Sequence, residues 1–74
     1  RHVLLIDVSA SMQAVHDGIP RIEEAKHAAV RRIDALGPDD QMMLIGVADT
    51  PRILCPFTSD HKTLREAANR LSAT

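Results

Sequence analysis

The chain has 74 residues, nine basic and ten acidic side chains for a formal net charge of −1, a hydrophobic share of 45%, and Phe57 as its only aromatic residue. Such a chain makes at most one small domain, near the size at which a single core becomes marginal, and that core must be aliphatic. The intermixed charge and the lack of stacking platforms exclude a nucleic-acid surface, no apolar run is long enough to span a membrane, no signal-peptide pattern is visible, and one cysteine excludes an intramolecular disulfide.

Residues 2–6 read as the first strand. The four consecutive apolar residues Val3, Leu4, Leu5 and Ile6, followed by Asp7, predict a strand buried on both faces as it leaves a parallel sheet. Residues 7–20 form a loop punctuated by Gly18 and Pro20. A helix is predicted over residues 21–36, because Ile22, Ala25, Ala29, Ile33 and Leu36 recur at helical spacing. Glu23 and Glu24 near its start and Arg31 and Arg32 near its end complement the macrodipole. Gly37-Pro38 stops it, with glycine available for a left-handed cap.

Residues 42–48 make a second, nearly continuous apolar strand. Asp49-Thr50-Pro51 is a turn, and residues 52–57 form a short third strand whose Pro56 suits an edge. So short a connection joins antiparallel neighbours. Thr58, Ser59 and Asp60 are candidate caps for a helix over residues 61–71, with Leu64, Ala67, Ala68 and Leu71 on its apolar stripe. The order is strand-helix-strand-strand-helix. Leu5, Ile33, Ile45, Val47 and Leu71 are expected to be largely buried.

Chemistry concentrates where the first strand ends. Ligands of open α/β sheets bind at the carboxyl ends of the strands. Here that end offers Asp7, Ser9 and Ser11 at alternate positions, all hard oxygen donors suited to magnesium, manganese or calcium. One carboxylate and two neutral hydroxyls under-neutralise a divalent cation. Such a cation keeps Lewis acidity for an incoming ligand, and an acidic side chain of another protein supplies the missing oxygen. The bland alternative is that the three residues are turn formers and caps.

The Asp-x-Ser-x-Ser run of Asp7, Ser9 and Ser11, followed by Met12, resembles the metal-ion-dependent adhesion site of the von Willebrand factor type A family. The resemblance covers the whole chain and implies an α/β, Rossmann-like fold, of which residues 1–74 are a partial domain. The β-α-β-β-α order would then be the opening of a doubly wound, mostly parallel sheet with one antiparallel edge strand. It further implies cation-dependent protein–protein recognition, with Mg2+ (or Mn2+ or Ca2+) held weakly or not at all by these residues alone. In the family a later loop supplies a threonine and a later strand a second aspartate. Thr74 is a candidate for the first, and the second has no counterpart. The first strand should be an inner one whose far side, left unpaired, would invite pairing between copies of the chain.

Rival readings are a metal-assisted hydrolase or phosphotransferase using Asp7, and a scaffold with a degenerate site. Phosphotransferases with a strand-end nucleophilic aspartate carry a second acid two residues on, where this chain has Ser9. No glycines flank Ser9 or Ser11 as in a hydrolase elbow, and no phosphate-binding glycines precede Gly18. A non-enzymatic role is therefore expected. His2, His16, His27 and His61 lack zinc-site spacing. Cys55 reads as a buried inert thiol, Asp39-Asp40 as a turn, and Asp49 as a turn residue near the carboxyl end of the sheet.

Overall fold

The structure is a computed structural model and describes residues 1–71. The chain begins with strand β1 (His2–Asp7), followed by a 3-10 turn (Ala10–Gln13) and the two short strands β2 (Val15–His16) and β3 (Ile19–Pro20). Helix α1 (Arg21–Asp34), strands β4 (Met42–Val47) and β5 (Pro51–Thr58), and helix α2 (His61–Asn69) complete it. The main sheet has the order β1-β4-β5, with β1 parallel to β4 and β5 antiparallel to β4. This is the expected mixed α/β arrangement, with a parallel pair and one antiparallel edge strand.

Both helices pack on one face of the sheet. Ile6, Met42, Leu44 and Cys55 from the strands meet Ile22, Ala29 and Ile33 of α1 and Leu64, Ala67 and Ala68 of α2. Ile33, Leu44 and Leu64 are wholly enclosed. Full burial of side chains of this size contributes about 1.5–3 kcal/mol each. The expectations for Ile33 and Leu71 hold, since both are buried.

Leu5 corrects the reading of β1 as covered on both sides. It is 64% exposed and Val3 is 54% exposed, while Ile45 and Val47 are half-buried. Side chains alternate across a strand, so Leu4 and Ile6 point to the helices and Val3 and Leu5 point away. In register, Leu5 pairs with Ile45 and Ile45 with Ile53, an apolar row across all three strands on the side opposite the helices. Among the described residues no layer covers that side.

Element ends shift by short distances. Helix α1 stops at Asp34, two residues early, and α2 at Asn69, although Leu36 and Leu71 still pack on the core. Gly37 does not adopt the left-handed cap, since Gly18 is the only described glycine at positive φ. The helix instead ends in tight turns, with Leu36 N–H donating to Ile33 O at 3.1 Å, and Gly37 N–H donates to Asp40 Oδ2 at 3.0 Å. Asp60 proves to be the cap of α2: its Oδ1 accepts from Lys62 N–H at 3.1 Å and its Oδ2 from Thr63 Oγ1 at 2.7 Å. The β2–β3 hairpin lies inside the stretch expected to be loop. Its signal was present in Asp17-Gly18, whose φ values of 53° and 80° are those of a two-residue hairpin turn.

Candidate metal centre

The site is built where β1 leaves the sheet. Val8 N–H donates to Val47 O at 2.9 Å and extends the parallel pairing one residue past the strand. The chain then folds into the 3-10 turn, with Met12 N–H donating to Ser9 O at 2.9 Å. The Met12 side chain is buried in the core. The loop is thus held at both ends, by the β4 backbone on one side and by Met12 on the other.

Between these anchors Asp7, Ser9 and Ser11 come together. Ser9 N–H donates to Asp7 Oδ1 at 2.9 Å, and the Ser9 and Ser11 hydroxyl oxygens lie 2.9 Å apart. Asp7 and Ser11 are exposed and Ser9 is partly so. Ser9 occupies the position preceding the 3-10 turn, yet its side chain makes no capping bond. Its hydroxyl instead faces that of Ser11, two residues on. Asp7 does close a local turn, so its carboxylate has both a structural bond and a place at the site.

The Asp7 carboxyl is held below its ordinary range. Hydrogen bonding from the Ser9 hydroxyl contributes most, then the Ser9 N–H; burial opposes them, and the positive charge of Arg21 adds the least. Arg21 lies fourteen residues from Asp7 in sequence and carried no signal as part of the site. The β2–β3 hairpin brings the chain back, with Arg21 N–H donating to Ala14 O at 2.9 Å, and so starts α1 beside the loop.

The donor set fits a small hard cation. Oxygens at about 2.0–2.1 Å from Mg2+ in an octahedron sit about 2.9 Å from their neighbours, whereas calcium at about 2.3–2.6 Å spreads them further. The 2.9 Å separation of Ser9 Oγ and Ser11 Oγ is that of a hydroxyl–hydroxyl hydrogen bond and does not choose between the two ions. Among the described residues no three His, Cys, Asp or Glu side chains gather, so this loop has one charged donor and the character of a zinc site is absent from it.

The other sequence candidates lie apart. Asp40 sits at the opposite end of the sheet, where Oδ2 is 3.9 Å from His2 Nε2 and serves the Gly37 turn. Cys55 is buried, and desolvation raises its thiol pKa, partly opposed by the charge of Arg70. It has the character of an inert core thiol. Asp49 lies in the turn after β4, beside Val8 along a shared cavity. Thr74 lies outside the described residues. No described helix is long and apolar enough to cross a membrane.

Comparison with known proteins agrees with this fold. A family model described as the von Willebrand factor type A domain matches residues 2–74. A UPF0353 protein of Mycolicibacterium paratuberculosis (strain ATCC BAA-968 / K-10) is 35% identical over 69 residues, covering 93% of this chain and 21% of that protein. Among solved structures, the conserved hypothetical protein BatB of Bacteroides thetaiotaomicron superposes with a TM-score of 0.88 at 28% identity, over 96% of this chain and 34% of its own. An uncharacterised membrane-spanning protein of Vibrio fischeri gives a TM-score of 0.84 at 25% identity, over 100% of this chain and 40% of its own. The vWF domain of the type V pili tip protein Mfa5 of Porphyromonas gingivalis shares the fold, with a TM-score of 0.80 at 24% identity over 97% of this chain and 26% of its own. The chain therefore spans well under half the length of each of these relatives. From its matched residues, its sheet order and its strand-end loop, the chain belongs to the von Willebrand factor type A domain family.

Proposed function

We propose that residues 1–74 are the opening part of a domain that recognises other proteins through a divalent cation held at Asp7, Ser9 and Ser11. Domains of this family act as protein–protein interaction and adhesion modules. The observation that carries the finer reading is the pair of serine hydroxyls 2.9 Å apart beside an ionised Asp7, on an exposed loop at the carboxyl end of the sheet. The hydroxyls would hold the cation and Asp7 would supply the only charge, directly or through water. Bound there, the cation supplies Lewis acidity toward a carboxylate oxygen. A single carboxylate leaves about one positive charge uncompensated on a divalent ion, so an acidic side chain of the partner is the natural further ligand. Magnesium, manganese and calcium all suit this set of hard oxygen donors. Binding of the ion by these residues alone should be weak. The role is recognition and not catalysis, as the motif holds no second acid to serve as proton donor.

Calorimetry on the intact gene product tests this. Wild-type protein should bind a Mg2+-dependent partner, and Asp7→Ala should abolish that binding while leaving the melting temperature close to wild type. Ser9→Ala combined with Ser11→Ala should weaken it about tenfold or more, on the scale of lost charge-assisted contacts. Cation-dependent binding that survives Asp7→Ala would reject the assignment.

A further inference from the structure

Helix α1 begins with a charge that its own stability does not call for. Acidic residues are favoured at a helix N-terminus, where the backbone N–H groups carry partial positive charge, and Glu23 and Glu24 in the first turn follow this rule. Arg21, the first residue of the helix, runs against it. Among the described residues its guanidinium makes no ion pair: Glu23 is bound to Lys26 at 3.4 Å, and Glu24, three positions on, does not hold it. Arg21 is exposed.

Backbone bonds tie this residue to the strand-end loop. Ser11 O accepts from Ala14 N–H at 3.2 Å, and Ala14 O accepts from Arg21 N–H at 2.9 Å, so two hydrogen bonds in series connect Ser11 to the start of α1. Between Ala14 and Arg21 the chain turns back through the β2–β3 hairpin, with Val15 opposite Pro20 and the left-handed pair Asp17 and Gly18 at its tip. Helix α1 also packs against the 3-10 turn that carries Ser11. The main chain thus fixes a positive charge beside the loop. Among the described residues Arg21 is the only charged side chain whose field is felt at Asp7.

We propose that Arg21 is a specificity-determining residue of the strand-end site, disfavouring a bare divalent cation there and favouring one that carries a partner's carboxylate. The inference rests on the cation reading given above. With a divalent ion bound, the charges of Asp7 and Arg21 offset each other, and the loop is left with about two uncompensated positive charges where Asp7 alone would leave about one. That surplus opposes the ion when it arrives alone and attracts an anionic ligand once the ion is in place. The effect acts through space and needs no contact between Arg21 and the ligand.

Two titrations of the intact gene product at low ionic strength test this: Mg2+ alone by calorimetry, and labelled hexaglutamate in saturating Mg2+ by fluorescence anisotropy. Arg21→Gln should strengthen Mg2+ binding about two- to threefold and weaken hexaglutamate binding by about the same factor, the scale of one exposed charge acting through water. Arg21→Lys should keep both affinities near wild type. Arg31→Gln removes the same charge from the last turn of α1 and should change neither. Opposite shifts with the two probes are the mark of charge, since damage to the loop would weaken both. If Asp7→Ala abolishes Mg2+ binding, then weaker Mg2+ binding in Arg21→Gln, no change with either probe, or an equal change in Arg31→Gln would overturn the role of Arg21 alone. Mg2+ binding that survives Asp7→Ala would reject the cation reading and this inference with it.

Discussion

The two faces of the sheet carry nearly the same kind of residue and meet opposite fates. Leu4, Ile6, Met42 and Leu44 lie against the helices, while Val3, Leu5 and Ile53 stand more than half exposed on the other side. Nothing in side-chain chemistry separates the two sets. What separates them is that both helices lie on the same face, α1 as the crossover between the parallel strands β1 and β4 and α2 packed beside it. Burial is a property of the neighbour and not of the residue. A bare row of Leu5, Ile45 and Ile53 is the composition of a sheet made to be covered on both sides, as in the doubly wound folds of this family.

The sharpest way to break this comparison is to cut the same residue type on each face. Leu44→Ala and Ile33→Ala remove fully enclosed side chains and should each cost about 2–5 kcal/mol. Total stability for a chain of this size is about 4–11 kcal/mol, so either change should remove a large part of it. Leu5→Asn in the chain of residues 1–74 should shift stability by only about 0.5 kcal/mol, as at a surface position. Urea melts would show it, and equal losses at Leu5 and Leu44 would erase the distinction between the faces.

A second effect is associative. Val3 and Leu5 expose apolar surface beside the outer edge of β1, which pairs with no other strand among the described residues, and Ile53 extends that bare face onto β5. Residues 1–74 expressed alone should therefore self-associate as concentration rises. Light scattering over a dilution series measures this, and Leu5→Lys with Ile53→Lys should move the chain toward monomer. A wild-type chain that stays monomeric when concentrated would mean that the bare face and open edge are not adhesive.

The smallest effect concerns the cap of α2. The Thr63 hydroxyl holds the Asp60 pKa below its ordinary value against the opposing effect of burial, with the Lys62 N–H adding less. A depressed carboxyl pKa gives stability that is fully present above the unfolded value of about 3.9 and is lost as pH falls through the folded value. Thermal melts of wild type and Asp60→Ala should therefore differ at neutral pH and converge as pH falls through the lowered folded value. A difference that persists at low pH would assign the effect to packing and not to the ionised cap.

Much of this molecule was legible from residues alone. The end of β1 at Asp7 follows from an apolar run meeting an acid, the antiparallel β4–β5 pair from a connection too short for a crossover, and the buried faces of Ile33 and Leu64 from a 3.6-residue period. The local spacing of Asp7, Ser9 and Ser11 puts their oxygens in one loop whatever surrounds it. Other features depended on segments distant in sequence. Whether Leu5 is covered depends on where the helices land, and continuous apolar runs such as residues 3–6 hold no alternation to say which side faces solvent. The charge of Arg21 reaches Asp7 only because a hairpin folds the chain back. Sequence determines chemistry that lies within a few residues, because covalent geometry limits how far those atoms can part. Tertiary structure decides the rest, because packing alone brings separated charges and apolar surfaces within reach of each other.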